Sequence, residues 1–209
     1  MSKPRVILVH GFNVRDKGAD TIDRLRPHFE KRGYEVIEAI EGFRFLLNVR
    51  FFNRFRARKL MKLIQPGDIL VGHSDGCNII TMAGTMLSRV GFPHLCLRSV
   101  FYNPALDQNT WQPACVDEVL VFHDQSDKAT WISKLLPFHN WGEMGKKGYK
   151  GPQWRIHTNV SYDRMGFANL GHSGVFKRDE AIVATLNRFD KWITENPQTN
   201  SLIPQTNYE

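Results

Sequence analysis

Continuous apolar runs alternate along the chain with stretches in which apolar residues recur every three or four positions. The first run lies within Arg5 to His10 and ends at a glycine, a pattern typical of a strand buried on both faces. Runs of this kind predict strands at residues 5–10, 34–40, 68–71, 98–102, 118–122 and 154–160. Helical spacing between them predicts helices at residues 19–32, 48–64, 77–87 and 177–194.

This alternation predicts an α/β fold, a doubly wound and mostly parallel sheet with helices on both faces. We expect a single domain over residues 1–195 and a flexible polar tail over residues 196–209. In such sheets, functional residues collect where the strands end at their carboxyl sides. Residues 128–152 break the rhythm with a long aromatic connection, which we expect to be either functional or mobile.

Composition narrows the class of protein. With 42% apolar and 23% charged residues among 209, the chain is typical of a globular protein. No apolar run approaches the roughly 18 residues needed to span a bilayer, and the start offers no room for a signal peptide before the first strand. Cys77, Cys96 and Cys115 are odd in number and far apart, which favours a reducing, cytoplasmic location. We interpret Cys77 as a packing residue.

The pentapeptide Gly72-His73-Ser74-Asp75-Gly76 lies between a predicted strand and a predicted buried helix. A Gly-x-Ser-x-Gly motif in this position is typical of a nucleophile elbow, where the serine occupies a strained turn and the glycines avoid collisions. A serine hydroxyl becomes a good nucleophile when a base takes its proton and an acid orients that base.

The required acid and base both have candidates, in the order that a nucleophile elbow predicts. Strand 118–122 is followed by a loop that contains Asp124 and Asp127, and strand 154–160 is followed later by His172, which lies between glycines just before the last predicted helix. Of the other histidines, His73 is expected to line the site or to pack under the elbow. His157 is expected to be packed or at the surface.

These motifs, together with His10-Gly11 after the first strand, resemble those of the α/β-hydrolase superfamily, in particular its small lidless esterases and lipases. The resemblance covers about residues 5–193. It implies a nucleophile at Ser74, a general base at His172 and an orienting carboxylate at Asp127, with Asp124 as the alternative acid or as the cap of an Asx turn. No metal or organic cofactor is implied.

The resemblance also implies an oxyanion hole built from two backbone N–H groups, those of Phe12 and Asp75. Each such donor contributes about 3 kcal/mol to lowering the barrier. For the side chain of Asp75 three roles stay open. It could disfavour anionic substrates, tune His172, or serve as a helix N-terminal acid that meets the macrodipole.

A basic segment precedes the elbow strand. No acidic residue lies between Glu41 and Asp68, and four cations repeat at helical spacing and form one stripe: Arg50, Arg54, Arg58 and Lys62. Like charges at this spacing repel. The stripe is therefore either a solvated helix face or a contact for an anionic surface, such as a membrane. No motif for specific nucleic-acid binding accompanies it.

The sequence thus predicts a serine hydrolase that cleaves a carboxylic ester, either a small molecule or a lipid-like one, through an acyl-enzyme. The same triad also serves thioesterases, amidases and acyltransferases. An alternative of another class is an inactive hydrolase-like module that binds anionic partners through the basic helix. We expect an open site, shaped by residues 42–49 and 128–152, and whether the latter form a lid stays open.

Overall fold

The computed structural model describes residues 3–11, 19–37, 49–129, 141–151 and 156–196. Within them lies one sheet, whose strands are Arg5–Val9 (β1), Glu35–Ile37 (β2), Ile69–His73 (β3), Leu97–Tyr102 (β4), Val116–His123 (β5) and Ile156–Ser161 (β6). Their order is β2-β1-β3-β4-β5-β6, and every neighbouring pair is parallel. The predicted fold class is confirmed, and each predicted strand is found within a few residues of its expected position.

The α-helices are Arg26–Lys31 (α1), Val49–Met61 (α2), Asp75–Arg89 (α3), Met144–Lys147 (α4) and Asp179–Glu195 (α5). Short 3-10 turns cover Ile22–Leu25, Asp163–Met165 and Gly174–Lys177. The single helix predicted for residues 19–32 is wrong in its extent. Because Pro27 lacks a backbone N–H and fixes its φ, the α-helix begins beside it, and a 3-10 turn precedes it.

Side chains of each strand alternate between two cores, one on either face of the sheet. In β1, Val6 and Leu8 pack with the residues of α1 and α5, whereas Ile7 and Val9 pack with those of α2 and α3. Both faces of the central strands β3 and β4 are covered, which explains why these strands appear as continuous apolar runs. Cys77 is buried in the second core, as its interpretation as a packing residue requires.

Among the described residues, no helix combines the length and the apolar character needed to cross a membrane. Several predictions fall on residues that lie outside the described ranges. They concern the Phe12 amide, the segment 42–48, parts of the connection 128–152 (residues 130–140 and 152) and the tail 197–209. The assignment of residues 1–195 to a single domain stays a prediction.

Candidate active site

Ser74 lies between the end of β3 and the start of α3, in a backbone conformation that residues other than glycine rarely adopt. Its φ is 55° and its ψ is −122°. A Cβ atom on Gly76 would lie 2.2 Å from the carbonyl oxygen of Val9, and one on Gly72 would lie 3.0 Å from the amide nitrogen of Cys77. Glycine is therefore needed at both positions. The strained turn predicted at Ser74, and the reason for its glycines, are confirmed.

The side chains of three residues from separate loops meet at this turn. Nε2 of His172 lies 2.7 Å from Oγ of Ser74, and Nδ1 of His172 lies 2.8 Å from Oδ2 of Asp127. Because a carboxylate can only accept hydrogen bonds, Nδ1 carries the ring hydrogen and donates it to Asp127. In the neutral ring, Nε2 then accepts the hydroxyl hydrogen of Ser74. The side chain of His172 is 23% exposed and that of Asp127 is 0% exposed, so of this pair the histidine is the one that meets solvent.

Asp127 is buried, yet its surroundings favour its ionised form. Burial by itself raises the pKa of this carboxyl, but the hydrogen bond and charge of His172 bring the pKa below its ordinary value. Two further donors act in the same direction: the Ala129 amide lies 2.9 Å from Oδ1, and Nδ2 of Asn103 lies 3.2 Å from Oδ2. An ionised Asp127 stabilises the imidazolium that forms when His172 takes a proton.

Asn103, which sequence reasoning missed, orients the acid. It directly follows β4, is fully buried and has a φ of 45°, a conformation that asparagine tolerates better than most residues. Its Oδ1 accepts a hydrogen bond of 3.0 Å from the hydroxyl of Tyr162. Burial holds the pKa of Tyr162 well above its ordinary value, so this hydroxyl stays a donor and turns the Nδ2 of Asn103 toward Asp127. Asn103 directly follows the predicted strand 98–102, and this position could have identified it as a candidate site residue.

Asp124, the alternative acid, makes structural bonds instead. Its Oδ1 accepts from the Ser126 amide at 2.7 Å, which is the Asx turn considered for it. Its Oδ2 accepts from the Gly171 amide at 2.8 Å and so joins the acid loop to the histidine loop. The structure brings Asp127 into contact with His172, and Asp124 holds the backbone beside it.

His73 supports the histidine loop from the elbow. Its Nε2 lies 3.0 Å from the backbone oxygen of His172, which can only accept, so Nε2 carries the hydrogen. The ring packs against Phe176, with centroids 5.0 Å apart. Burial and the nearby charge of His172 lower the pKa of His73 to about 3, so the ring stays neutral in ordinary solution conditions. Two positions were predicted for His73, lining the site or packing under the elbow; the structure shows the ring buried against the histidine loop and Phe176.

The described part of the long connection, residues 141–151, packs against the ends of the strands. The Gly145 amide donates to the oxygen of Pro104 at 2.9 Å, and the Gly145 oxygen accepts from the Asp124 amide at 2.9 Å. A Cβ atom on Gly145 would lie 2.9 Å from Oδ2 of Asp127. This segment therefore forms part of the wall behind the acid. Whether the connection 128–152 is functional or mobile stays open as predicted.

The side chain of Asp75 turns into the protein interior, although the residue follows Ser74 directly. It is 0% exposed, and its Oδ1 accepts hydrogen bonds of 2.8 Å from Nδ2 of Asn53 and 2.8 Å from Nε1 of Trp141. Burial raises the pKa of this carboxyl, and these bonds together with the charge of Arg56 lower it only in part. None of the three roles considered for Asp75 anticipated this burial.

The oxyanion hole stays a prediction. Asp75 is the first residue of α3, where backbone N–H groups have no partner within the helix. Phe12, the second predicted donor, lies outside the described residues, which reach Gly11 on this side. A Cβ atom on Gly11 would lie 2.9 Å from the Cβ of Ser74, so the loop after β1 leaves the sheet directly beside Ser74.

The basic stripe is described in part. Arg54, Arg58 and Lys62 are exposed, and the side chain of Arg50 lies outside the described part of the structure. An anionic partner for this face stays a prediction, and salt-dependent binding to anionic vesicles would test it. Arg56 does not belong to the stripe, because it is buried on the opposite face of α2. Arg56 is two positions from both Arg54 and Arg58 in the sequence, and on a helix this spacing places it on the other face. The spacing could therefore have distinguished Arg56 from the exposed arginines.

Comparison with known proteins supports the fold. No protein-family model matches the sequence, and no curated protein sequence matches it. Among solved structures, the α/β-hydrolase enzyme MGS-MChE2, from the metagenome of lagoon sediments at Mar Chica, Morocco, is 13% identical, with 93% of this chain and 92% of that chain covered at a TM-score of 0.60. A proposed hydrolase of the α/β superfamily from Xanthomonas campestris pv. campestris is 16% identical, with coverage of 90% and 99% at a TM-score of 0.52. The chain therefore has the α/β-hydrolase fold.

Proposed function

We propose that this protein is a serine hydrolase that cleaves a carboxylic ester through an acyl-enzyme. The observation that carries the proposal is the unbroken chain of short contacts at the elbow, 2.7 Å from the Ser74 hydroxyl to His172 and 2.8 Å from His172 to Asp127. Both distances lie within hydrogen-bond reach, which a general base and its orienting acid require. The side chain of His172 is more exposed than that of Asp127, so the base is accessible to a bound ester.

In the first half of the reaction, Oγ of Ser74 attacks the carbonyl carbon of the ester while Nε2 of His172 takes the hydroxyl proton. The carbonyl π electrons move to oxygen and form a tetrahedral oxyanion. Its collapse breaks the bond to the alcohol oxygen, and the imidazolium returns the proton to that leaving group. Asp127 stays ionised and stabilises the imidazolium throughout.

In the second half, water replaces the alcohol. His172 takes a proton from this water, whose oxygen attacks the acyl carbon and forms the second tetrahedral oxyanion. Its collapse breaks the bond between the acyl carbon and Oγ of Ser74, and the imidazolium returns the proton to Oγ, which releases the acid and restores the serine. Both oxyanions need backbone donors, for which we propose the amides of Asp75 and Phe12. No step in this scheme calls for a metal or an organic cofactor.

A panel of chromogenic p-nitrophenyl esters, from acetate through butyrate and octanoate to laurate, tests the proposal. We expect hydrolysis by the wild type, and a loss of most of the rate in Ser74→Ala and in His172→Ala. Asp124→Asn serves as the matched control, because it changes a carboxylate of the same loop that makes no contact with His172. Equal hydrolysis by wild type and Ser74→Ala would reject the nucleophile.

The same catalytic groups also suit thioesters and amides, and these enter as further arms of the panel. Acyl-coenzyme A analogues report thioesterase activity, and p-nitroanilides of the preferred acyl group report amidase activity. An added alcohol acceptor that diverts the acyl group from water reports transferase activity. We propose the ester over the amide because an alcohol is a better leaving group than an amine and needs less assistance from His172. A thiolate leaves more readily still, so the thioester arm of the panel decides between ester and thioester.

A further inference from the structure

The inner face of α2 reaches the residue after the nucleophile. Asn53 is buried on this face, and its Nδ2 donates to Oδ1 of Asp75 at 2.8 Å. The same oxygen accepts from Trp141 at 2.8 Å and from Asn78 at 3.4 Å. An acid that merely faces a helix macrodipole needs no buried partners from other elements. The side chain of Asp75 therefore ties the start of α3 to α2 and to the 141–151 segment.

One turn further along the same face, Arg56 reaches the end of the first strand. It is 5% exposed, and its Nη2 donates to the backbone oxygen of His10 at 3.0 Å. Burial lowers the pKa of Arg56, and the negative charge of Asp75 opposes this shift. A buried cation is costly unless an anion and hydrogen bonds compensate it. The opposite charges of Arg56 and Asp75 therefore each favour the ionised form of the other, although burial is the larger influence on the pKa of both.

The two elements held by α2 already touch each other. A Cβ atom on Gly76 would lie 2.8 Å from the oxygen of His10, and one on Gly11 would lie 3.0 Å from the oxygen of His73. The start of α3 supplies the N–H of Asp75, and the end of β1 leads into the loop that continues beyond Gly11. These are the two sources proposed for the oxyanion donors. A small displacement of either element would move one donor relative to the other.

We infer that Asn53, Arg56, Asp75 and Trp141 form a positioning cluster that fixes the two oxyanion-hole elements relative to each other. This inference rests on the proposed function. The side chains of the cluster lie behind the reacting atoms, and they act through the backbone at Asp75 and His10. Because donors must be aimed at the oxyanion that develops in the transition state, the cluster is expected to affect kcat and not the binding of the ester.

The test compares Arg56→Met with Arg54→Met and Arg58→Met, which remove the exposed arginines two positions to either side. Each variant is assayed for kcat and KM on the best ester of the panel. Each is also assayed for inhibition by a trifluoromethyl ketone, whose carbonyl carbon adds Oγ of Ser74 and places a negative oxygen in the oxyanion hole. We expect Arg56→Met to lower kcat roughly 10- to 100-fold, with KM within about threefold, and to weaken the ketone by the same factor as kcat/KM. The two controls stay within about twofold of the wild type.

Asn53→Ala and Arg56→Lys keep the test decisive if Arg56→Met does not fold. Asn53→Ala removes one donor to Asp75 and is expected to weaken the ketone in the same way, but less. Arg56→Lys keeps the charge and is expected to recover part of the lost kcat.

A folded variant of Asn53 or Arg56 with wild-type kcat and wild-type inhibition by the ketone overturns the inference. A loss that appears in KM alone, or equally in the Arg54 and Arg58 controls, also overturns it. Failure of the proposed function has a different signature. In that case the folded wild type itself neither hydrolyses the esters nor binds the ketone.

Discussion

Two buried carboxylates lie on opposite sides of Ser74, and their surroundings shift their pKa values in opposite directions. On the acid side, Asp127 has a lowered pKa, because His172 and two further donors outweigh the effect of burial. On the elbow side, Asp75 has a raised pKa, because burial outweighs its hydrogen bonds and the charge of Arg56. Position beside the nucleophile therefore does not decide the role of a carboxylate. The first is poised to stabilise a positive charge on the base, and the second holds backbone.

The largest expected effect is on the acid side. Asp127→Asn leaves the shape of the site intact but removes the charge and favours the wrong tautomer of His172, so we expect kcat to fall roughly 10⁴-fold. Asp124→Asn retains one acceptor oxygen in the same loop, and we expect a loss of less than about tenfold. Steady-state kinetics on the same ester measures both. The reverse order of the two losses would assign the catalytic acid to Asp124.

Gly145→Ala tests the wall behind the acid. The added Cβ would lie 2.9 Å from Oδ2 of Asp127 and 2.9 Å from the carbonyl carbon of Asn103, so either the segment or the acid must move. We expect kcat to fall on the order of 100-fold, because misplacement by an ångström costs about that much. Gly33→Ala is the control for backbone strain away from the site, since an added Cβ there meets nothing within 4 Å while the φ of +86° disfavours alanine. If both variants keep full kcat, the acid side does not depend on this wall.

On the elbow side, Trp141→Phe removes the N–H donor to Asp75 and keeps most of the ring. We expect kcat to fall roughly three- to tenfold with little change in KM, because one of the hydrogen bonds that fix Asp75 is lost. Trp111→Phe, at an indole that is 60% exposed, is the matched control. A loss on the elbow side as large as that of Asp127→Asn would erase the distinction between the two carboxylates.

His73 directly precedes Ser74 and contacts the histidine loop. Its expected effect is on the free energy of unfolding. Its pKa of about 3 lies below the ordinary 6.5, so below pH 6.5 the unfolded chain binds a proton that the folded protein does not. The contribution of His73 to stability is therefore complete above pH 6.5 and decreases as the pH falls toward 3. Between pH 7.5 and pH 5, we expect the unfolding free energy of the wild type to decrease by about 2 kcal/mol more than that of His73→Gln.

Urea unfolding at a series of pH values measures this difference between the wild type and His73→Gln. His94→Gln, at an exposed histidine, is the control and should follow the wild type. Parallel pH curves for His73→Gln and wild type would mean that His73 takes up a proton in the folded protein.

The strands could be predicted because burial on both faces leaves a continuous apolar run, as in Val6 to Val9. The elbow could be predicted because its glycines and its serine are adjacent in the chain. The order of the loops that follow the strands gave the candidates for acid and base, and the resemblance to α/β-hydrolases implied Asp127 as the acid. The structure brings His172 to Ser74 and Asp127 to His172. In each case the signal is contained within one short segment or in the order of segments.

The positioning cluster could not be predicted in this way. Asn53 meets Asp75 because α2 packs on α3, and Trp141 arrives from a connection that shows no helical or strand periodicity. Arg56 lies among exposed arginines, and its spacing could place it on the opposite face of α2, but no local pattern shows that it reaches His10 or Asp75. Contacts of this kind depend on how whole elements approach each other, which local patterns do not encode.

The central claim is that the His172–Asp127 pair activates the hydroxyl of Ser74. Treatment with a fluorophosphonate probe, followed by intact-mass and peptide mass spectrometry, tests it most directly, since the serine oxygen displaces fluoride from phosphorus only when a base takes its proton. The account predicts one adduct, on Ser74, formed rapidly in the wild type and very slowly in His172→Ala and Asp127→Asn. A folded wild type that forms no adduct, or one that carries it on another residue, would contradict the account.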